Sequence, residues 1–305
     1  AEEIARVIGY NNIISKPLEI AKKLDKNVDD VNRLRNYLIK NGFSEVINFP
    51  FTGNHEEKSV SIDNPLDSNR NNLRTSLKDS LLDNLLYNER RQKDSIKLFE
   101  ISNLYSFENK EVKNKKMIGI ICSGRLGNNY EDFSKKMDTK YLTNLLKELY
   151  SELNFNPIVI NRNELDTKSK NQIIYLEIEL DYLKDYSSEY IFKSKTALDK
   201  NNFVKYVPIS PFPSSYRDLS FAVKDKTKYY ELQELLLNFK NTLIKEIFVF
   251  DFFHNEAKDE IKIGFRFIFQ SQSSTITEQD VSIIMDQIIS SALSIDSVEI
   301  PGLKL

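Results

Sequence analysis

The stretch Pro211-Phe212-Pro213-Ser214-Ser215-Tyr216-Arg217-Asp218-Leu219-Ser220-Phe221 decides how the last third of this 305-residue chain folds. At its end, Leu219, Phe221 and Val223 alternate as the buried face of a strand does. Helical spacing follows at Leu232, Leu235, Leu236 and Phe239, over 230–239. Residues 244–253 form a second strand run around Ile247-Phe248-Val249-Phe250, and 254–260 are polar and turn-like. Ile261, Ile263, Phe265, Phe267 and Phe269 then share one face of a third strand, with Lys262, Gly264, Arg266 and Ile268 on the other. Thr277 and Asp280 read as a capping box, with Asp for the usual Glu, at the head of a helix through Val281, Ile284, Met285, Ile288 and Ala292. Residues 297–300 can close the sheet. Strand, helix, strand, strand, helix, strand is the split βαβ order: four antiparallel strands with two helices on one face. The other face is expected to stay free for a partner.

Upstream, the pattern is α+β. Residues 29–41 are an amphipathic helix with Val31, Leu34 and Leu38 on one stripe, ended by Gly42. A strand is expected over 46–51 and a turn at Asn64-Pro65-Leu66-Asp67. A helix over 73–92 would turn Leu77, Leu81, Leu82, Leu85 and Leu86 inward. Strands are expected at 96–105, 116–123 and 173–180, and a helix at 139–153. This predicts an antiparallel sheet with helices packed on it, then a linker at 200–207.

The length allows two domains, each with its own core. The formal net charge of -2 gives no global basic signal, and from residue 205 onward 11 Lys and Arg stand against 14 Asp and Glu. Phosphate attraction alone therefore cannot drive nucleic-acid binding; recognition would need specific side chains. The single cysteine, Cys122, excludes an intramolecular disulfide framework and suits a reducing cytosol. Its setting, Gly119-Ile120-Ile121-Cys122, reads as a strand that buries an inert thiol. No apolar run approaches the roughly 20 residues that span a bilayer. The chain starts at Ala1, without Met and inside a helix-like stretch, which reads as a piece of a longer protein.

Few residues could carry chemistry. The two histidines, His55 and His254, lie in polar stretches and read as solvated. No Cys/His set has zinc spacing. Gly124-Arg125-Leu126-Gly127 lacks the spacing and the Lys of a phosphate loop and reads as a plain turn. Asp251, flanked by Phe250 and Phe252-Phe253, has two readings. It is either an exposed strand-end carboxylate or a hydrogen-bond acceptor among aromatics that suit a stacked base. The residues alone leave both open, and they assemble no complete catalytic site.

The chain resembles the C-terminal portion of the bacterial-type phenylalanyl-tRNA synthetase β-subunit family over nearly its whole length. Glu2-Glu3-Ile4-Ala5-Arg6-Val7-Ile8-Gly9-Tyr10 resembles the end of the family's B5 domain. Arg35-Asn36-Tyr37-Leu38-Ile39, Asn41-Gly42-Phe43-Ser44-Glu45-Val46, Asn64-Pro65-Leu66, Leu73-Arg74-Thr75-Ser76-Leu77 and Leu98-Phe99-Glu100-Ile101 resemble its synthetase-like core. Phe212-Pro213 with Arg217-Asp218-Leu219-Ser220-Phe221 resembles the opening of its ferredoxin-fold anticodon-binding domain.

The resemblance implies an α+β chain: the end of a B5-like domain at 1–25, a class II synthetase-like antiparallel core without an active site at 26–200, and a ferredoxin-like domain at 208–305. It implies a cytoplasmic (αβ)2 heterotetramer whose α subunit charges tRNA(Phe) using phenylalanine and ATP. The helix over 29–41 and the segment after it match the family's dimerisation-type motif. By position, Asp251 matches an acidic residue that accepts from a guanine edge and Phe253 an aromatic on which that base stacks. Lys262 and Arg266 would meet backbone or base. Glu2 and Glu3 match half of a Mg2+ site whose aspartates would precede Ala1, leaving an incomplete site here. Ser102 replaces the family's glycine. The rival reading is a free-standing tRNA-binding or regulatory paralogue that works without an α partner.

Overall fold

The computed structural model describes residues 1–14, 16–17, 26–184, 206, 208–256 and 259–302. The chain enters through α1 (Glu2–Ile8), every residue of which is at least partly exposed. The N-terminal sheet is built from β1 (Ser44–Glu45), β4 (Ser95–Glu108), β5 (Glu111–Gly124), β6 (Ile158–Ile160) and β7 (Ile173–Glu179), in the order β1-β4-β5-β7-β6. All its pairings are antiparallel except β1 with β4. On one face lie α2 (Lys26–Lys40) and α4 (Thr139–Leu149). There Leu34, Tyr37 and Leu38 meet Phe99, Ile118, Ile120 and Cys122, and Leu142, Leu145 and Leu146 complete the layer. On the other face α3 (Lys78–Glu89) packs Leu81, Leu85 and Leu86 against Ile96, Leu98, Ile121 and Tyr175. A sheet covered on both faces explains why β5 reads as continuous apolar sequence rather than an alternation. Burial pushes the Cys122 thiol up to about 12, as befits an inert thiol.

The α2 stripe belongs to this core: Leu34 and Leu38 are fully buried within the chain itself. The helix stops at Gly42, whose φ of 81° lets Phe43 N–H reach the Leu38 carbonyl at 3.0 Å. The strand expected over 46–51 is not continuous. Val46 makes the last ladder bond to Phe99, and Asn48 then turns its backbone and side-chain N–H groups to Glu100 at 3.3 and 2.8 Å. Pro50 has no N–H to donate. Only β2 (Phe51–Thr52) remains, paired with β3 (Asn72–Leu73). For the same reason the second helix begins at Lys78 rather than at 73: Arg74 is drawn inward onto Glu100.

Arg162 closes the end of the sheet. It bonds Glu89 at 3.0 and 2.7 Å, and Thr167 Oγ1 donates to the same carboxylate at 2.8 Å. Burial pushes Glu89 up, but these hydrogen bonds and the cation outweigh it, so its folded value lies below the ordinary 4.5. A depressed acid stabilises the fold above its unfolded value and loses that contribution as pH falls through the folded one. Stability should therefore decline as pH drops below 4.5, and Glu89→Gln should flatten that limb. Thermal midpoints measured against pH check this; parallel curves for the two proteins would refute it.

A short α5 (Leu180–Lys184) follows β7, and the expected linker, apart from Tyr206, lies outside the described residues. The C-terminal unit follows the expected order: β8 (Ser215–Val223), α6 (Lys226–Leu237), β9 (Ile244–Asn255), β10 (Glu260–Phe269), α7 (Glu278–Leu293) and β11 (Val298–Glu299). Its sheet order is β11-β8-β10-β9, antiparallel throughout. The core is the period-2 face Ile261, Ile263, Phe265, Phe267 and Phe269 under Leu232, Leu236, Val281, Ile284 and Ile288. Thr277 and Asp280 form the reciprocal capping box, with backbone donors at 3.2 and 3.1 Å. α6 starts earlier than its apolar spacing indicated, because Asp225 caps it through Thr227 N–H at 2.9 Å. β9 runs through His254, which sits opposite Ile261 in the ladder rather than in a loop.

Candidate nucleic-acid interface

The sheet face away from α6 and α7 carries the predicted contact residues, and a β-bulge decides their arrangement. Gly264 pairs with Asp251 and Phe265 with Val249, so Phe250 is an extra residue in β9. Its ring lies over Gly264, where a Cβ would come within 2.8 Å of it. Beyond the bulge, Asp251 is exposed opposite Gly264. Phe253, 55% exposed, stands opposite Lys262. Asp251 and Phe253 are two residues apart, about 7 Å along the strand on the same face. Lys262 Nζ lies 3.9 Å from Glu260 and its side chain reaches solvent.

Arg266 is placed differently. Its Nε and Nη2 donate to Asp218 at 2.7 Å each, and its side chain is only 13% exposed. The hydrogen bonds it donates to Asp218 hold its pKa above the ordinary value. Its guanidinium lies 4.1 Å from the Tyr216 ring centre and 4.8 Å from that of Phe133, which comes from the N-terminal unit. Phe133 also meets Phe248 and Phe250 at 5.7 and 5.4 Å between ring centres, and the Arg125 guanidinium lies 4.0 Å from its ring centre. The expected free face is thus half covered: the end holding Arg266, Phe248 and Phe250 packs on the core, and the end holding Asp251, Phe253 and Lys262 is open. The Gly124-Arg125-Leu126-Gly127 turn leads into this contact. In sequence, the only sign of it is a pair of aromatics, Tyr130 and Phe133, standing in an otherwise polar loop.

Glu2 and Glu3 lie apart from this face on exposed α1, and both approach Arg6, at 3.5 and 3.7 Å. Among the described residues no group of three or more His, Cys, Asp or Glu side chains is placed to hold a metal, so this pair does not fit a Mg2+ site by itself. His55 Nδ1 lies 3.5 Å from Asn72, and His254 Nε2 lies 3.9 Å from Asp259. No helix among the described residues is long and apolar enough to cross a membrane.

These features define a two-part α+β chain with a ferredoxin-fold sheet whose outer face is half open. Residues 15–179 match the family described as "Phenylalanyl tRNA synthetase beta chain CLM domain", and residues 210–297 match "Ferredoxin-fold anticodon binding domain". The chain belongs to the phenylalanyl-tRNA synthetase β-chain family. Among curated relatives it is 25% identical to the phenylalanine–tRNA ligase β subunit of Carboxydothermus hydrogenoformans, over 94% of this chain and 40% of that protein. The β subunit of Bacillus licheniformis gives the same identity over the same shares. That of Thermotoga maritima is 24% identical, over 95% of this chain and 41% of that protein. The chain thus spans about two fifths of the length of the curated relatives it matches.

Proposed function

We infer that this chain is the assembly and anticodon-recognition portion of a phenylalanine–tRNA ligase β subunit. It works in the cytoplasm, in an (αβ)2 complex whose α subunit activates phenylalanine with ATP and charges tRNA(Phe). The observation that carries the reading is the open end of the ferredoxin-fold sheet, where a carboxylate, an exposed ring and a cation share one face. Phe253 offers a stacking surface to an unpaired base. Asp251 can accept from the N–H donors on a guanine Watson–Crick edge. Lys262, opposite Phe253, can neutralise a phosphate. The near-neutral charge of the chain leaves recognition to these side chains rather than to a basic field.

Assembly has its own surface. Ile47 and Phe49 are 95% and 74% exposed on the segment after β1, and Leu66 is fully exposed. A cleft of about 420 Å³ lies beside Phe49, lined also by Asn48, Phe51, Thr52 and Asp79. Large apolar side chains rimmed by polar ones in this way mark a protein interface, and the α subunit is the partner assigned to it. In this role the chain holds tRNA against the catalytic subunit, and bond-making is left to α.

Competition binding tests the anticodon reading. The α/β assembly containing this chain should prefer tRNA(Phe) over the same tRNA carrying a substituted anticodon. Equal affinity for the two would overturn it.

A further inference from the structure

The loop that joins β5 to α4, residues 125–137, does more than turn the chain. It wraps the free edge of β9, the outermost strand of the ferredoxin-fold sheet. Phe133 lies on the outer face against Phe248, Phe250 and Arg266, while Tyr130 reaches Phe252, whose side chain packs with the helix-side core, at 5.4 Å. Two guanidiniums approach the Phe133 ring, Arg125 of the core at 4.0 Å and Arg266 of the sheet at 4.8 Å from its centre. Arg125 is itself anchored, donating to the Phe133 carbonyl at 2.6 Å and to Asp94 at 3.2 Å. A second tie lies nearby: Ser214 N–H and Oγ both donate to Gln92 Oε1, at 3.0 and 2.7 Å.

The bulge makes this grip possible. It adds Phe250 to the outer face directly before Asp251, so the ring that Phe133 presses and the open carboxylate are consecutive residues. A strand held at one residue cannot swing freely at the next.

We propose that the 125–137 loop is a clasp that fixes the angle of the recognition face to the synthetase-like core, with Phe133 as its positioning residue. The inference rests on the anticodon reading. Phe133 is buried between the two units and touches no nucleotide in this role. It acts by holding Asp251 and Phe253 where a tRNA already seated on the rest of the assembly can meet them. A base offered to a face that samples many angles loses the benefit of preorganisation.

The test uses the α/β assembly containing this chain, with three readouts: affinity for tRNA(Phe), phenylalanine-dependent ATP–pyrophosphate exchange without tRNA, and amide exchange of β9. Phe133→Ala should weaken tRNA binding by on the order of tenfold and speed β9 exchange, with pyrophosphate exchange unchanged. Phe133→Tyr should restore tRNA affinity and β9 exchange, again with pyrophosphate exchange unchanged. Tyr130→Ala removes a half-exposed ring and gives a milder form of the same result should Phe133→Ala fail to fold. Faster β9 exchange with tRNA affinity within about twofold of the parent, where the effect predicted for positioning is larger, would overturn the clasp, as would unchanged β9 exchange. Asp251→Ala separates the two claims. An effect there with none in Phe133→Ala removes the clasp alone; no effect in either removes the anticodon reading and the clasp with it.

Discussion

Glu100→Ala is expected to destabilise the N-terminal unit by about 3–5 kcal/mol, the cost of breaking a buried ion pair from one side. Arg74 and Glu100 are both buried, and the guanidinium meets the carboxylate through both of its terminal nitrogens. Ser80 takes one further Arg74 proton at 2.7 Å, and Asn48 fills the remaining carboxylate positions. Removing the carboxylate strands a buried cation; Arg74→Ala strands the buried anion in the same way. The double variant Arg74→Met, Glu100→Leu leaves no charge behind and should recover most of the loss. Denaturation midpoints of the three variants check this, and a double variant no better than the singles would refute the charge argument. As a control, Glu108→Ala breaks the exposed pair with Lys58 and should leave the midpoint unmoved. The pair also has a functional consequence. Asn48 ties the segment bearing Ile47 and Phe49 to Glu100, so its loss should loosen the assembly surface as well.

The second large effect concerns the open end of the C-terminal sheet. Phe253→Ala in the α/β assembly should weaken tRNA(Phe) binding by about 1–3 kcal/mol, the usual worth of a base–aromatic stack. Phe253→Tyr keeps the ring and should bind as the parent does. Asp251→Ala should cost at least about 1 kcal/mol, because a guanine edge then lacks its acceptor. Its effect should disappear when the base it faces is one without the matching donors. Lys262→Ala should act differently, weakening all tRNAs alike and reducing the salt slope by about one. Filter binding at two salt concentrations separates these patterns. Equal affinity for parent, Phe253→Ala and Asp251→Ala would remove both residues from the interface.

The parts of the fold carried by local pattern were legible in the sequence. The alternation from Ile261 to Phe269 and the Thr277–Asp280 box each depend on neighbours within a few residues, and the structure reproduces both. The features that escaped depend on distant partners. Nothing near Asn48 or Arg74 announces that both turn to Glu100, which is why a strand over 46–51 and a helix from 73 were expected. The bulge at Phe250 breaks the period of two without leaving a glycine or proline in β9 to mark it. Arg266 reads as a free cation on a polar face because its partners, Asp218 and Phe133, come from other elements. The outer face of this sheet was therefore expected to be open along its whole length, whereas the core covers the end that holds Arg266.

Co-expression of this chain with a phenylalanyl-tRNA synthetase α subunit from the same source, followed by mass measurement of the purified species, is the most direct test. A single complex holding equal numbers of the two chains is the predicted result. A chain that elutes alone, folded and without α, would contradict the assembly role and favour a free-standing binding protein.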